Sequence, residues 1–163
     1  MKVLELFCGT KSISNAFQRH GHETYTVDWN AEFEPTLCAD VGKLTTEDVI
    51  NLCGGRPDVI WASPDCTSYS VAAISHHRRK NPITGNLDPI TDYARMCDQV
   101  NKHVIDLIKE LSPKWFFIEN PRGGYAKNGF RARDTKIHGH ILPIRRNPDE
   151  THGHMDEPPF SRI

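Results

Sequence analysis

The sequence lacks a long apolar run, a marked excess of charge of either sign and a pair of closely spaced cysteines. Without a long apolar run there is no candidate membrane span, and residues 1–6 meet charge too soon for a signal peptide. The formal net charge of -1 excludes a globally basic coating protein, although it allows a local basic patch. The five cysteines include no Cys-x-x-Cys pair, which disfavours a disulfide framework and a zinc site. We therefore expect a soluble protein of a reducing, cytoplasmic compartment, without a metal.

Short apolar runs alternate with helical or loop segments through most of the chain. The predicted strands lie at 3–7, 25–27, 59–62 and 115–118, and the predicted amphipathic helices at 13–20 and 93–111. This order indicates right-handed βαβ units, and therefore an α/β fold with an open, mostly parallel sheet. A length of 163 residues is enough for one domain with a hydrophobic core.

Two segments depart from this alternation. Residues 71–92 are polar and carry the basic run His76-His77-Arg78-Arg79-Lys80, which predicts a long mobile loop. Such a run is most often a solvated charged surface, and the other interpretation is that it meets phosphates. Residues 125–163 show no apolar period and contain four prolines among scattered charges. We therefore predict a domain over residues 1–123 and an irregular tail over 124–163.

A thiol and a carboxylate follow two of the predicted strands. Cys66 lies four residues after the run 59–62, and Glu119 follows the run 115–118 directly. Because the carboxyl ends of parallel strands meet at one edge of a sheet, both groups should face one cleft. Neighbouring hydroxyl residues can donate to a thiolate, which favours a nucleophile; the alternative is a small buried thiol, the usual fate of a free cysteine. For Glu119 the alternative is an exposed carboxylate at a strand end.

The first predicted strand leads into the turn Phe7-Cys8-Gly9-Thr10-Lys11-Ser12. Its backbone amides at a helix N-terminus suit a nucleotide or an amino-acid carboxylate, but it lacks G-x-G-x-x-G and a plain connection is the alternative. Asp28, at the end of the second predicted strand, is placed to accept hydrogen bonds from ribose hydroxyls. Trp29 is placed to stack on adenine and Asp40 to accept from its exocyclic amine. The alternatives are a core side chain for Trp29 and a helix cap for Asp40.

Taken in order, these segments resemble the DNA cytosine-5 methyltransferase family, in particular its small phage and prophage members. Leu4-Glu5-Leu6-Phe7-Cys8-Gly9-Thr10-Lys11-Ser12-Ile13 is similar to the family's Asp-Leu-Phe-x-Gly-x-Gly methyl-donor loop. Ser63-Pro64-Asp65-Cys66-Thr67-Ser68-Tyr69-Ser70 resembles its Pro-Pro-Cys-Gln-x-Phe-Ser nucleophile loop. Three further segments resemble its ribose-contacting strand end, its Gly-Asp-Ile element and its Glu-Asn-Val block: Val27-Asp28-Trp29-Asn30, Ala39-Asp40-Val41 and Phe117-Ile118-Glu119-Asn120-Pro121.

The match covers residues 1 to about 123, and it departs from the family pattern at three points. The donor loop lacks its second glycine, Thr67 stands where glutamine is usual, and Pro121 replaces valine. These departures affect the fine positioning of groups more than the chemistry.

The resemblance implies a Rossmann-like fold, incomplete at its C-terminal part, with S-adenosyl-L-methionine as methyl donor and DNA as substrate. Cys66 would attack carbon 6 of a cytosine flipped out of the duplex, and Glu119 would hydrogen-bond or protonate ring nitrogen 3, with Asn120 beside it. The residues expected to bind the donor are Phe7, Cys8, Gly9, Thr10, Asp28, Trp29, Asp40, Val41 and Pro64. We expect a cytoplasmic monomer, of bacterial or phage origin, that takes part in DNA methylation of the restriction-modification type.

The tail does not resemble the family as protein, but a shifted reading frame of it does. Residues 149–158 back-translate to GAT GAA ACC CAC GGA CAT ATG GAC GAA CCA. Without the first base this reads Met-Lys-Pro-Thr-Asp-Ile-Trp-Thr-Asn, which resembles a late block of the phage members. The same offset turns residues 136–146 into Arg-Tyr-Thr-Val-Thr-Tyr-Cys-Gln-Tyr-Gly, another such block. Our hypothesis is that residues from about 124 onward are an out-of-frame translation.

This hypothesis leads to an expectation of weak or no methylation, because the supporting part of the site would be missing. The alternative function is an inactive methyltransferase remnant that at most binds the donor or DNA. A third interpretation is a thiol-dependent α/β enzyme for a small molecule, which the Glu119-Asn120-Pro121 block disfavours.

Overall fold

The computed structural model describes residues 1–121 and one further strand, Gly139–Ile144. The strands in this part of the chain are β1 (Lys2–Leu6), β2 (Glu23–Asp28), β3 (Leu37–Cys38), β4 (Val59–Ala62), β5 (Arg78–Lys80), β6 (Leu87–Pro89), β7 (Trp115–Pro121) and β8 (Gly139–Ile144). Six of them form one sheet in the order β3-β2-β1-β4-β7-β8, and every pairing within it is parallel. The predicted α/β fold with an open, Rossmann-like parallel sheet is confirmed.

The helices of the described part are α1 (Ser12–Arg19), α2 (Thr46–Cys53), α3 (Ile74–His77) and α4 (Asp92–Leu111). The predicted helices at 13–20 and 93–111 correspond to α1 and α4 within one residue at each end. Helix α2 begins at a capping box, in which the Thr45 hydroxyl accepts from the Asp48 N–H at 3.1 Å and the Asp48 carboxylate accepts from the Thr45 N–H at 2.9 Å. Within residues 1–121, no helix has an apolar stretch of the length that a membrane span requires.

Apolar side chains cover both faces of the sheet, because strand residues alternate between the faces. One face carries Leu4, Leu6 and Ile60, which pack with residues of α2 and α4 in the main core. The opposite face carries a smaller cluster, in which Phe117 packs with Val3, Val59 and, from α1, Phe17. Burial on both faces explains why the central strands read as continuous apolar runs rather than as alternating ones.

The strand order places a crevice where the chain changes direction across the sheet. From β1 the chain proceeds to β2 on one side, whereas β4 lies on the other side of β1. In open α/β sheets such a switch point is where ligands bind, beyond the carboxyl ends of the strands. The register sets Leu6 beside Val27 and beside Ala62, and Ala62 beside Ile118. The segments that follow β1, β2 and β4, and Glu119 in β7, therefore share one edge.

The prediction of a long mobile loop over residues 71–92 is wrong. This segment contains α3 and an antiparallel hairpin of β5 and β6. The turn is closed by Asn81, whose Oδ1 accepts from the N–H groups of Ile83 and Thr84 at 2.9 and 3.1 Å, and whose Nδ2 donates to Asp88 at 2.7 Å. Side-chain hydrogen bonds of this kind stabilise a turn without any apolar period, so the hydrophobic pattern does not reveal them.

Strand β8 lies inside the segment that we predicted to be irregular. Its backbone pairs with β7 over the whole of Gly139–Ile144, from Phe116 opposite Gly139 to Pro121 opposite Ile144. The physical reason is that β7 would otherwise leave its outer row of backbone N–H and C=O groups without ladder partners. The rest of the tail lies outside the described residues, so the domain boundary at 123 and the reading-frame hypothesis stay predictions.

Candidate active site

Cys66 lies in a tightly bonded loop after β4. The loop leaves the sheet at Ser63, whose N–H donates to the Leu6 carbonyl at 3.2 Å, and continues through the buried Pro64. Cys66 then precedes one turn of 3₁₀ helix at Thr67–Tyr69, which its carbonyl closes by accepting from the Tyr69 N–H at 2.9 Å. The thiol is half-buried. Local geometry therefore holds Cys66 beyond the carboxyl end of a central strand, partly screened from water.

Asp65 ties this loop to helix α4. Its Oδ1 accepts from the Thr67 N–H at 2.8 Å, and its other oxygen accepts from the Tyr93 hydroxyl. Burial raises the pKa of Asp65, but the hydrogen bonds from Tyr93 and Thr67 outweigh it and hold that pKa below its usual value. Asp65 is therefore a charged anchor directly beside the thiol.

The hydroxyl groups near Cys66 have other partners in the structure. The Ser68 Oγ lies 3.1 Å from a guanidinium nitrogen of Arg78, Ser70 Oγ donates to the Thr67 carbonyl at 3.0 Å, and the Thr67 hydroxyl contacts Asp65. The sequence-based expectation was that these hydroxyls donate to a thiolate, and this arrangement does not meet it. Their engagement rigidifies the loop instead.

The electrostatic environment keeps Cys66 protonated. Burial raises the pKa of the Cys66 thiol above its ordinary value, and the negative charges of Glu119 and Asp65 raise it further. A thiol in such surroundings is a weak nucleophile until a neighbouring negative charge is removed. Position, rather than a depressed pKa, is what distinguishes this cysteine.

Glu119 and the Cys66 loop lie at the same edge of the sheet because β4 and β7 are neighbouring strands. Ile118 lies beside Ala62, so Glu119 emerges one residue past the end of β4 and stays half-buried. The effect of its charge on the pKa of Cys66 places the two groups within electrostatic reach. Asn120 is the next residue of β7, with its backbone opposite Pro143 of β8. Of the predicted catalytic residues, Cys66 and Glu119 therefore lie at one edge of the sheet, and their catalytic roles stay predictions.

Removing the Glu119 charge should lower the pKa of Cys66. Because a like charge disfavours the thiolate, we expect Glu119→Gln to increase the thiolate fraction and the alkylation rate of Cys66 at about pH 8. The measurement is the pH dependence of iodoacetamide labelling at Cys66, read by mass spectrometry. Glu47→Gln, an exposed carboxylate of α2, is the matched control and should leave the midpoint unchanged. An unshifted midpoint in Glu119→Gln would contradict the electrostatic coupling.

The turn after β1 is held to the end of β2 by Asp28. Its two carboxylate oxygens accept from the Gly9 N–H and from the Asn30 N–H, both at 3.0 Å, and the residue is buried. Phe7 and Lys11 both adopt left-handed backbone with φ of 58°. Non-glycine residues rarely hold that conformation, and strain of this kind concentrates at functional sites. The turn is therefore a preorganised loop at the switch point of the sheet.

The predicted donor-binding residues differ in their access to a ligand. Thr10 is exposed, and a methyl group added at Gly9 would meet no atom within 4 Å, so open space borders the turn. Trp29 is 72% exposed, which contradicts the alternative of a core side chain. The side chain of Cys8 is buried, as is Pro64, so a ligand would meet mainly their main-chain atoms or edges.

The element around Asp40 is a helix start, as the alternative interpretation had it. Asp40 caps a 3₁₀ turn at Val41–Lys43, where its Oδ1 accepts from the Gly42 N–H at 2.9 Å, and it remains exposed. Val41 is 2% exposed and belongs to the main core. A contact between Val41 and the methyl donor would therefore use the backbone of Val41. The second carboxylate oxygen of Asp40 lies 3.4 Å from the Lys43 Nζ.

Sequence reasoning missed one residue of this region, Arg78. The sequence placed it in a basic run that was either solvated or a contact for phosphates, whereas the structure buries it against the Cys66 loop. No sequence signal distinguishes Arg78 from its neighbours Arg79 and Lys80. Within the described residues, no cluster of three or more His, Cys, Asp or Glu side chains is arranged to hold a metal ion.

Fold and candidate site together define a Rossmann-like α/β protein in which a thiol, a carboxylate and a preorganised turn share one edge of the sheet. The family model of the C-5 cytosine-specific DNA methylases matches residues 1–137. The chain belongs to this family.

Two relatives show how much of the family the chain represents. The "Probable DNA (cytosine-5)-methyltransferase" of Frog virus 3 (isolate Goorha) is 30% identical over 129 residues, which are 78% of this chain and 56% of that protein. The "Type II methyltransferase M.AgeI" of Thalassovita gelatinovora is 24% identical over 143 residues, which are 79% of this chain and 30% of that protein. The chain thus spans about half, or less, of the length of these relatives.

Proposed function

We propose that this site transfers a methyl group to carbon 5 of cytosine in DNA, with Cys66 as the covalent nucleophile. The observation that carries the proposal is that the Cys66 loop, which follows β4, and Glu119 of the adjacent strand β7 lie at the same edge of the sheet. The preorganised turn after β1 lies at the same edge of the sheet. The family membership of the chain supports the same chemistry.

In the proposed reaction, Cys66 gives up its thiol proton, which becomes the proton that Glu119 shares with nitrogen 3, and the sulfur forms a bond to carbon 6 of the cytosine ring. The electron pair of the 5,6 double bond becomes a 4,5 double bond, and the pair of the 3,4 double bond moves to nitrogen 3, which takes the proton or a hydrogen bond from Glu119. The adduct is an enamine, and carbon 5 becomes nucleophilic enough to accept a methyl group. Once carbon 5 carries the methyl group and the donor has left as a neutral thioether, a base would take the carbon-5 proton, the 5,6 double bond would re-form and Cys66 would leave as thiolate. Nitrogen 3 would return its proton to Glu119.

The pKa of Cys66 fits this sequence of events. Without substrate, the charge of Glu119 contributes to keeping the thiol protonated. When Glu119 shares a proton with nitrogen 3 of the base, its negative charge no longer opposes ionisation of Cys66. Thiolate formation is then coupled to the presence of cytosine, which protects the free enzyme from adventitious alkylation or oxidation.

The residues around the β1 turn suit S-adenosyl-L-methionine. The open space at Gly9 admits a ligand, the exposed Trp29 offers an aromatic face for adenine, and Asp28 and Asp40 supply carboxylate acceptors. When bound, this donor supplies an electrophilic methyl group. Phe7, Cys8, Thr10, Val41 and Pro64 complete the proposed pocket, in part through main-chain atoms.

The substrate in this proposal is duplex DNA with the target cytosine extruded. A stacked base shields both faces of its ring, so Cys66 reaches carbon 6 only after the base has left the helix. We propose that the protein acts as a cytoplasmic monomer, with Asn120 assisting Glu119 at the base. The small-molecule thiol enzyme considered above is disfavoured by the family membership.

A second candidate function is an inactive remnant that binds the donor or DNA without transferring methyl. The observation that favours it is the constant one-base offset at which residues 124–163 resemble family blocks. We propose that the reading frame changes near residue 124. Sequencing of the gene tests this directly, since the hypothesis requires that a one-base change restore an in-frame family sequence.

The test of function is transfer of tritiated methyl from S-adenosyl-L-methionine to DNA by this chain and by the frame-restored product. We expect label on mixed-sequence DNA from the restored product and at most weak label from this chain, with none on poly(dA)·poly(dT), which lacks cytosine. Digestion to nucleosides should locate the label in 5-methylcytosine. Label on adenine, or none from either product, would contradict the proposed function.

A further inference from the structure

A nearly buried arginine stands behind the nucleophile loop. Arg78 is the first residue of β5, and its side chain is 1% exposed. Its Nε donates to the Ser68 carbonyl at 3.1 Å, and one Nη lies 3.1 Å from the Ser68 Oγ. Its guanidinium carbon lies 3.9 Å from the centre of the Tyr69 ring. Every one of these contacts is with the 3₁₀ turn that follows Cys66.

The same guanidinium group is bonded to helix α4. Its two terminal nitrogens donate to the Asp98 carboxylate at 2.5 and 3.2 Å, a bidentate pair. Further bonds reach the carbonyls of Ala94 and Leu87, each at 3.4 Å. Arg78 thereby joins the nucleophile loop, helix α4 and strand β6 through one planar group with fixed donor directions.

Tyr69 closes this network on the loop side. Its hydroxyl donates to Asp98 and accepts from the Asn101 Nδ2 at 2.9 Å. Tyr69 is 2% exposed and packs with Cys97 of α4. The turn after Cys66 is consequently held by two side chains that share one carboxylate, and neither can move without breaking a buried polar bond.

A buried arginine of this kind is a poor device for stability alone. Removing the charged group from water has a large free-energy cost, and an apolar side chain of similar volume often stabilises a fold as well or better. The arginine instead fixes a geometry, since the donor directions of its planar guanidinium group specify where the carbonyl and the hydroxyl of Ser68 must lie. The neighbouring side chains Arg79 and Lys80 are exposed, so burial at position 78 is specific.

We propose that Arg78 is a positioning residue that holds the Cys66 loop against the sheet edge, so that the thiol stays half-buried beside Glu119. The proposal rests on the proposed function for the role of Cys66. Arg78 itself does not touch the reacting atoms. It acts through Ser68 and Tyr69, two and three residues further along the chain from the thiol.

The test measures the alkylation rate of each cysteine by mass spectrometry in the full chain. Replacing Arg78 with methionine frees the loop, exposes the Cys66 thiol and brings its ionisation towards that of an exposed cysteine. We expect the Cys66 rate to rise about tenfold, because the thiol becomes more accessible and its thiolate fraction increases. The exposed Cys38 should keep its rate, and so should Cys53, which is buried in the main core and reports global unfolding. Arg79→Met, on the same strand but exposed, is the matched control and should leave Cys66 unchanged.

Two further variants keep the outcome decisive. Arg78→Lys retains the positive charge but loses the planar guanidinium group with its several fixed donors. Asp98→Asn retains the side-chain volume but weakens the ion pair with Arg78. Both variants should raise the alkylation rate of Cys66 while Cys53 stays protected. The proposal is overturned by an unchanged Cys66 rate in Arg78→Met. It is equally overturned if Cys53 is deprotected along with Cys66 in all three variants, because Arg78 then supports the whole fold.

A kinetic readout separates this proposal from the proposed function. In the product that transfers methyl, Arg78→Met should lower kcat by roughly 10- to 100-fold while KM for the methyl donor stays within about twofold, because displacement of a reacting group by about 1 Å has that effect. A lowered kcat together with the expected alkylation pattern supports the role of Arg78 as a positioning residue. An unchanged kcat overturns that role. The alkylation experiment needs no methyl transfer, so failure of the proposed function would appear separately, as the absence of labelled 5-methylcytosine.

Discussion

Replacing Cys66 with alanine should abolish methyl transfer, with a loss on the order of 10³-fold or more in kcat. The reason is that carbon 5 of cytosine is unreactive until a nucleophile adds to carbon 6. The nearby thiol of Cys97 is buried in α4 against Tyr69 and does not replace Cys66. The measurement is the initial rate of tritium transfer to DNA, made on whichever product is active, this chain or the frame-restored one. Binding of the methyl donor should remain, since Cys66 is not among the residues proposed to hold it.

Cys38→Ala is the matched control, because Cys38 is an exposed cysteine at the end of β3. We expect it to retain the full rate. Covalency is tested independently with DNA that carries 5-fluorocytosine. Fluorine leaves no proton at carbon 5 to be lost, so the adduct should persist as a denaturation-resistant complex that is absent from Cys66→Ala. Methyl transfer by Cys66→Ala at a rate near that of the parent would contradict the covalent mechanism.

The second large effect concerns stability. Phe117→Ala should lower the free energy of unfolding by about 3–5 kcal/mol, the usual cost of removing a large buried aromatic side chain. Phe117 is 2% exposed, stacks on Trp61 with ring centres 5.4 Å apart, and packs with Val3 and Val59. Since domains of this size are stable by only about 5–15 kcal/mol, a large part of the total would be lost. Urea unfolding followed by circular dichroism measures it.

Trp115→Ala provides the comparison on the same strand. Trp115 lies two residues before Phe117, and its side chain is 42% exposed, so less of it leaves water on folding. We expect Trp115→Ala to cost about half as much as Phe117→Ala or less. Equal costs would show that the second face of the sheet contributes little packing, against the cluster that the structure places there.

The two predictions concern two different kinds of interaction near the same edge of the sheet. Phe117 packs beneath the sheet two residues before Glu119, so the strand that presents the acid depends on this packing. Cys66 depends instead on a polar network, in which Asp65 bonds to Tyr93 and Arg78 bonds to Ser68. A loss of stability and a loss of catalysis are therefore separable by mutation.

Several elements could be predicted from the sequence because their signals are local. The apolar run at residues 59–62 gave a strand with the same bounds as β4, and the helical period at 93–111 gave α4. Helix α2 carried a usable signal that our prediction did not include, since Thr45 and Asp48 have capping-box spacing before Val49. The β5–β6 hairpin carried no apolar pattern, and its turn depends on the side chain of Asn81.

Within the candidate site, the sequence indicated which residues are candidates for chemistry but not their environment. The positions of Cys66 and Glu119 after apolar runs were enough to predict one shared edge, because parallel strands end together. The expectation that nearby hydroxyls stabilise a thiolate did not hold, because Ser68 and Thr67 have partners on other groups. Ser68 bonds to Arg78 and Thr67 bonds to Asp65. These pairings depend on distances that only the folded chain sets.

By itself the sequence determined the α/β class, the strands at the centre of the sheet and the family, and it indicated a candidate thiol and acid at one edge of the sheet. Apolar periodicity and motif spacing are properties of neighbouring residues, and so they are legible along the chain. Only the tertiary structure decided that Arg78 is buried while Arg79 is exposed, that Asp28 bonds two loops, and that the thiol of Cys66 has a raised pKa. Burial and electrostatics arise from residues far apart in sequence, and their outcome depends on how those residues pack.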